Sequence, residues 1–139
     1  MNEAKFSSWL MQNWLSGDGI HAQRIETSTA SGVPDINFCV QGFEGWIETK
    51  VFTPSGKVLL RPYQRAWMHR RLIAKGEIFI VALNEKTNVV HCWLFQGCGF
   101  ELACSDSYLS IVSPPKLSLV KTSHNRGSFL QFISRLGIN

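Results

Sequence analysis

Two carboxylates and a lysine in the first half of the chain have the types and spacing of a metal-ion site, with the carboxylates as ligands. Asp35 follows a proline, and Glu48 and Lys50 stand two residues apart further along. Residues two apart on a β-strand point to the same side, so Glu48 and Lys50 are expected to lie next to each other. Two carboxylates beside an ammonium group suit Mg²⁺, a hard cation that binds oxygen ligands and keeps several waters. Such a cation lowers the pKa of a bound water and stabilises the charge that builds on a phosphodiester.

A predicted β-hairpin would bring Asp35 to the other two residues. Segments 36–40 and 45–51 are each typical of a strand, and the turn between them is expected to centre near Phe43. With that turn, Asp35 lies opposite residues 48–51. The alternative is an exposed Glu–Lys pair on a solvated sheet face, which contributes about 0–1 kcal/mol and has no function.

These residues resemble the PD-(D/E)xK nuclease superfamily. The resemblance is carried by S-G-V-P-D at 31–35, E-T-K at 48–50 and Q-R-A-W at 64–67, and it covers about residues 3–83. Within the superfamily the chain is most similar to the virus-type replication–repair (VRR-NUC) domains and to phage Holliday-junction resolvases. The resemblance implies an α/β fold with a restriction-endonuclease-like core, in which helices flank a central mixed β-sheet.

The same resemblance implies a metal-dependent endodeoxyribonuclease that hydrolyses phosphodiester bonds. Asp35 and Glu48 would ligate Mg²⁺, for which Mn²⁺ would substitute, and Lys50 would lie beside the nucleophilic water. The chain matches no separate sequence-reading domain, which favours recognition of backbone path and branch shape. We therefore expect a structure-selective nuclease for branched DNA such as Holliday junctions, in phage-like recombination or repair.

Two alternatives to a nuclease for branched DNA stay open. One is a catalytically silent nucleic-acid-binding or assembly module with the same fold. The other is a nuclease that acts on nicked or flap DNA or at a short recognition sequence.

Members of this family often add a glutamate from the first helix, and Glu3 is the candidate for a third metal ligand. Segment 5–15 predicts a helix whose apolar side carries Phe6 and Leu10. Glu3 precedes these by three and seven residues, so it falls on the same sheet-facing stripe, where a carboxylate needs a partner. Otherwise Glu3 is a first-turn glutamate favoured by the helix dipole. Glu26, just before a polar loop, is a competing ligand.

A second helix is predicted to begin at Pro62 and run to about Lys75, since Gly76 is a good stop. Gln64 shares a stripe with Trp67, so it either faces the active site, where it binds a water or phosphate, or lies at the stripe's polar edge. Basic residues on or before this helix either contact DNA phosphates or form a solvated charged face. The candidates for phosphate contact are Arg61, Arg65, Arg71 and Lys57.

The composition indicates one soluble domain over residues 1–139. The chain is 45% hydrophobic and 17% charged, which excludes a disordered protein. No apolar stretch approaches the ~20 residues needed to cross a bilayer, and no signal peptide is recognisable. We therefore expect a cytoplasmic protein (in the host cytoplasm if phage-encoded) with reduced cysteines and no membrane partner. The formal charge of +4 permits a polyanionic partner, and the absence of a phosphate-binding loop motif argues against a nucleotide cofactor.

Further elements are expected on either side of the second helix. Residues 78–83 form a continuous apolar run, typical of a strand covered on both faces. Strands are also expected at 20–27, 89–95 and 117–121, and a C-terminal helix at about 128–136.

The extension over residues 96–139 carries apolar side chains that the nuclease motifs do not require. Symmetrical cutting of a junction takes two active sites, and a two-fold homodimer supplies them. We expect the segment from about residue 100 onward to contribute to such a dimer; the alternative is that it packs back on its own sheet. The apolar residues are Leu109, Ile111, Val112, Leu117, Leu119, Phe129, Phe132, Ile133 and Leu136.

Overall fold

The computed structural model describes residues 1–26, 32–96, 100–104 and 107–134. Three α-helices and nine β-strands form within these ranges. In chain order they are α1 (Glu3–Asn13), β1 (Ile20–Arg24), β2 (Ile36–Val40), β3 (Phe43–Val51), β4 (Leu59–Leu60), α2 (Pro62–Ile73), β5 (Ile78–Asn84), β6 (Val89–Leu94), β7 (Leu102–Cys104), β8 (Leu109–Ile111), β9 (Leu117–Val120) and α3 (Arg126–Ile133).

A six-stranded mixed sheet forms the centre of the fold. Its strand order is β1-β2-β3-β5-β6-β9, with β3 and β5 parallel and the other neighbours antiparallel. Helices α1 and α3 pack on one face through residues such as Leu10 and Phe129, and α2 packs on the other through Met68. The predicted α/β class, a central mixed sheet flanked by helices, is confirmed.

Strand β5 lies in the middle of this sheet, and all its residues from Ile78 to Leu83 are buried. Side chains of successive residues alternate between the two faces. Phe79 and Val81 enter the core under α1 and α3, whereas Ile80 enters the core under α2. Coverage on both faces explains why this strand is a continuous apolar run.

The hairpin of β2 and β3 turns earlier than the sequence suggested. Val40 pairs with Phe43, so the turn is Gln41–Gly42, with φ angles of +51° and +86°. Two positive φ values match the tight hairpin turn whose twist fits the flanking strands. The expected centre near Phe43 was therefore wrong, although the paired register still puts Asp35 level with Glu48.

A second, small sheet was missing from the sequence-based expectation. It has the order β4-β8-β7 and joins residues just before α2 to the C-terminal extension. Leu60, Leu109 and Ile111 pack with Met68 in the core under α2. Strands of two or three residues are too short for an alternating pattern to predict them.

Several predicted boundaries also need correction. Helix α1 begins at Glu3, because the Asn2 side chain accepts a hydrogen bond from the Lys5 N–H (2.8 Å) and caps the first turn. Strand β1 ends at Arg24, and α3 begins at Arg126, two residues earlier than expected. The predicted end of that helix near residue 136 lies outside the described residues.

The apolar residues expected to form a dimer are mostly used inside the chain. Phe129 and Ile133 are buried, and Leu117, Leu119 and Phe132 pack against the same core. Leu109 and Ile111 belong to the core under α2, whereas Val112 is 54% exposed. Leu136 lies outside the described residues. The homodimer stays a prediction, but these apolar residues no longer support it, because most of them pack inside the chain.

No helix in the described ranges is long and apolar enough to span a membrane. Three cysteines in those ranges, Cys39, Cys92 and Cys104, carry free thiols.

Candidate active site

Strand β3 extends beyond the end of β2, and this mismatch creates the site. β2 begins at Ile36, opposite Ile47, so the N–H groups of Thr49 and Val51 emerge past its end. The Asp35 carboxylate takes the first of them: its Oδ2 accepts from the Thr49 N–H (2.8 Å) and from the Thr49 hydroxyl (2.7 Å). A carboxylate therefore continues the hydrogen bonding that a longer β2 would have supplied.

Glu3 lies in the first turn of α1, within reach of the Val51 backbone. Partial burial of the Glu3 carboxyl raises its pKa; the Lys50 ammonium opposes this shift and the Asp35 carboxylate adds to it. Glu3 therefore lies within electrostatic reach of both residues, but its side chain as a whole is exposed and does not lie buried against the sheet.

Glu26, the competing candidate, lies elsewhere. Its side chain is 79% exposed and stands 4.0 Å from the Arg24 guanidinium, as a loose surface ion pair. It is not among the charges that act on Glu3 or Glu48.

The Glu48 and Lys50 side chains lie on the face of β3 that α2 covers, opposite to the face that carries Thr49. Both are buried (2% and 6% exposed). The Lys50 Nζ is 3.5 Å from the Glu48 Oε2. Burial raises the pKa of the Glu48 carboxyl well above its usual range, the Asp35 carboxylate raises it further, and the Lys50 ammonium lowers it. Burial excludes the solvated surface pair that was the alternative interpretation.

Gln64 joins α2 to this pair. Its Oε1 accepts from the Lys50 Nζ (3.1 Å) and from the Arg61 N–H at the helix start (2.8 Å). Its Nε2 donates to the Glu48 Oε2 (3.2 Å). One amide therefore caps α2 and holds both charged groups, so Gln64 faces the cluster.

Two hydroxyl groups that the sequence analysis missed hold Asp35 in place. The Ser7 and Thr49 oxygens are 2.5 Å apart, and both residues are fully buried. Because the Thr49 hydroxyl donates its one proton to Asp35, Ser7 must be the donor to Thr49. The chain Ser7–Thr49–Asp35 links α1 to β3. Only the alternation of β3, which turns Thr49 towards α1, could have indicated it.

The four basic residues proposed for phosphate contact are spread over different surfaces. Arg61 lines a cleft of about 380 Å³ together with Glu3, Lys50 and Gln64. Arg65 lines a neighbouring groove beside β7 and β8. Arg71 is far along α2, with its guanidinium 4.7 Å from the Trp67 ring centre. Lys57 is exposed in the turn before β4. Of these four, only Arg61 lies at the cluster.

The donor set suits a hard divalent cation. Burial raises the pKa values of the Glu3 and Glu48 carboxyls, the nearby Asp35 carboxylate raises both further, and the buried Lys50 ammonium opposes these shifts. In the described part of the chain, no three His, Cys, Asp or Glu side chains stand close enough to ligate one ion directly. Mg²⁺ needs only one or two carboxylates, since waters and substrate oxygens complete its shell.

Comparison with known proteins identifies no family for this chain. No protein-family model matches it, and no curated protein matches it. Among the similar solved structures is Hjc of Archaeoglobus fulgidus, a Holliday junction resolvase from an archaeal hyperthermophile. The match has 15% sequence identity and a TM-score of 0.49, and it covers 76% of this chain and 85% of that chain. A likeness this weak carries no functional argument.

Proposed function

We propose that this chain is a metal-dependent DNA endonuclease that hydrolyses phosphodiester bonds at the cluster of Glu3, Asp35, Glu48, Lys50 and Gln64. One observation carries the proposal: the carboxylates of Glu3 in α1 and Glu48 in β3 lie within electrostatic reach of the buried Lys50 ammonium and of Asp35, which directly precedes β2, and the pKa values of both glutamates are raised. Charged groups gathered against their own repulsion cost stability, and such clusters are typical of active sites.

Asp35 and Glu48 are the proposed ligands of Mg²⁺ or Mn²⁺, and Glu3 is proposed to contribute a third carboxylate through a bound water. When bound, the cation supplies Lewis-acid stabilisation of phosphate charge and lowers the pKa of water. The protein's own contribution is to hold the carboxylates in place: Thr49 fixes Asp35, and Gln64 fixes Glu48.

Lys50 is the proposed residue for orienting the attacking water and offsetting negative charge on the phosphate. Its Nζ bonds to Gln64 and lies near Glu48, and an ammonium group has three N–H donors. A donor left over from these contacts can bind a water or a phosphate oxygen. Burial strengthens such an interaction, because few waters screen it.

Branched DNA is the proposed substrate, with Arg61 at the cleft and Arg65 beside it contacting phosphates. Arg71 and Lys57 are proposed as more remote phosphate contacts. Contacts to the backbone position a duplex without reading its sequence. The proposal therefore predicts cleavage that depends on the shape of the DNA.

The test is cleavage of matched linear, nicked, flap and four-way-junction DNAs by the purified protein, in Mg²⁺ and in chelator. Metal-dependent cleavage of branched substrates supports the proposal. Binding of all four DNAs without cleavage in Mg²⁺ or Mn²⁺ would identify a catalytically silent nucleic-acid-binding module instead.

A homodimer accompanies the Holliday-junction form of this proposal, because symmetrical cutting takes two active sites. We expect sedimentation at micromolar concentration to give twice the 15.7 kDa mass of the chain. A strictly monomeric protein, with and without junction DNA, would leave nicking of branched or flap DNA as the activity.

Replacing Glu3 by Gln is expected to raise the metal requirement. The amide keeps the size of the side chain but has no charge, so half-saturation should need about 10- to 100-fold more Mg²⁺. Because the folded protein raises the pKa of Glu3, the metal-free variant should melt no earlier than the parent. Cleavage against Mg²⁺ concentration, with a thermal melt, measures both. Glu26→Gln is the control, and a larger effect there would reverse the assignment.

Replacing Thr49 by Val is expected to leave Asp35 without its hydroxyl donor and Ser7 without its acceptor. Loss of partners in a metal site's outer shell costs about 10- to 100-fold in activity or affinity. Thr49→Ser keeps the hydroxyl and should retain most activity. Equal losses in the two variants would mean that packing, and not the hydroxyl, is what matters at this position.

A further inference from the structure

Two tyrosines line the same cleft as Lys50 and have no role in the cluster itself. The cleft of about 380 Å³ is bounded by Tyr63 and Tyr108 in addition to Glu3, Lys50 and Arg61. Its volume falls within the range of small-molecule binding sites. Such a cleft can bind a nucleotide, because aromatic rings stack on a base and a cationic side chain binds a phosphate.

The two rings reach the cleft from separate parts of the chain. Tyr63 is the second residue of α2, one position before Gln64. Tyr108 directly precedes β8, in which Leu109 pairs with Leu60 of β4. Continuing this antiparallel register by one residue puts Tyr108 level with Arg61. The small second sheet therefore delivers an aromatic side chain from the C-terminal extension to the edge of the site.

Both rings are available for stacking. Tyr63 is 49% exposed, and Tyr108 is partly exposed. Across the described ranges neither ring stacks on another aromatic side chain, whereas pairs such as Trp46 and Trp67 are in edge contact at 5.2 Å. Exposed aromatic rings beside a basic residue are the usual platform for bases of single-stranded nucleic acid.

We propose that this cleft binds an unpaired nucleotide of the DNA substrate, with its base stacked on Tyr63 and Tyr108 and its phosphate near Arg61 and Lys50. This rests on the proposed nuclease function and narrows its substrate to branched DNA with an unpaired nucleotide beside the cut. Bases inside a duplex have both faces covered by their neighbours. Only an unpaired or extruded base presents a face to an aromatic side chain.

The test measures binding of a flap DNA with unpaired nucleotides and of a fully paired duplex of equal length, in chelator so that neither is cut. Tyr63→Leu and Tyr108→Leu should each weaken flap binding by about 5- to 150-fold, the effect of losing one stacked base. Duplex binding should stay unchanged. Tyr63→Phe and Tyr108→Phe keep the rings and should bind the flap like the parent protein.

Phe43→Leu is the matched control, because Phe43 is an exposed ring (41%) at the hairpin turn, roughly 16 Å along β3 from Glu48. A fluorescent base analogue, 2-aminopurine, at the first unpaired position adds a direct readout in the unmodified protein. Stacking should quench its emission on binding, and the Tyr→Leu variants should restore it.

Equal loss of flap and duplex binding in the Tyr→Leu variants would overturn the inference, as would flap binding without quenching by the parent protein. Cleavage by the Asp35→Asn variant separates this inference from the function on which it rests. If Asp35→Asn abolishes cleavage while the tyrosine variants bind and quench like the parent, only the nucleotide site is wrong. If the parent protein itself cuts none of the branched DNAs, the proposed function fails, and if Asp35→Asn cuts as well as the parent, Asp35 is not part of the site.

Discussion

Asp35→Asn is expected to reduce cleavage by about 10²- to 10³-fold, the cost of removing one preorganised group that stabilises transition-state charge. This substitution tests the charge alone. The Asn side-chain oxygen can accept both hydrogen bonds from Thr49, so the position and packing of the side chain are kept while its charge is lost. DNA binding should fall much less than the rate, since losing a carboxylate also removes repulsion against phosphate. Single-turnover cleavage and binding in chelator measure the two effects separately.

Glu44→Gln is the control for this variant. Glu44 is an exposed carboxylate at the start of β3, near the hairpin turn, so its loss changes the net charge equally without touching the cluster. Its cleavage rate should match the parent. Parent-like cleavage by Asp35→Asn at the parent's optimal Mg²⁺ concentration would remove Asp35 from the metal site.

The hairpin that carries Asp35 and Glu48 could be predicted because its information is local. Alternation over 36–40 and a glycine in the turn determine which face each side chain takes, and β3 runs to Val51 as expected. The error in the turn position moved the expected partner of Asp35 by up to three residues. The predicted proximity still holds, because the expected range was residues 48–51 and Glu48 is the first residue of that range.

The contacts that complete the cluster join distant parts of the chain, and the sequence predicted some of them but not others. Helical periodicity placed Glu3 and Gln64 on inward-facing stripes, but it could not show that Gln64 also caps α2. The bond from Ser7 to Thr49 joins residues 42 positions apart, and each is an unremarkable hydroxyl in its own segment. Such pairs become visible only once the packing of α1 on β3 is known.

The C-terminal extension shows the same limit on a larger scale. Its apolar residues suggested an interface between two chains, yet Phe129 and Ile133 fill the core beneath α1 and α3. Hydrophobic composition requires burial but does not specify the surface that provides it. Tyr108 reaches the cleft only through the pairing of β8 with β4, and neither short strand has a pattern of its own.

Lys50→Met is expected to lower cleavage by about 10²- to 10³-fold and to shift the pH dependence of what remains. Methionine keeps most of the length and volume of the buried side chain but has no charge. The Lys50 ammonium lowers the pKa of Glu48 against the effects of burial and of Asp35, so its removal raises that pKa further. Ionised Glu48 then forms only at higher pH, and the residual activity should begin to rise at higher pH than in the parent.

Lys50→Arg separates the charge from the geometry of this group. Arginine keeps the positive charge beside Glu48 but cannot place a single compact donor where the ammonium stands. It should therefore lose most of the rate while its pH profile stays near that of the parent. Rates measured from about pH 5 to 9 at saturating Mg²⁺ distinguish the two variants. A Lys50→Met profile that rises at the parent's pH would mean that Lys50 does not control the ionisation of Glu48, and its role would then be limited to contact with water or phosphate.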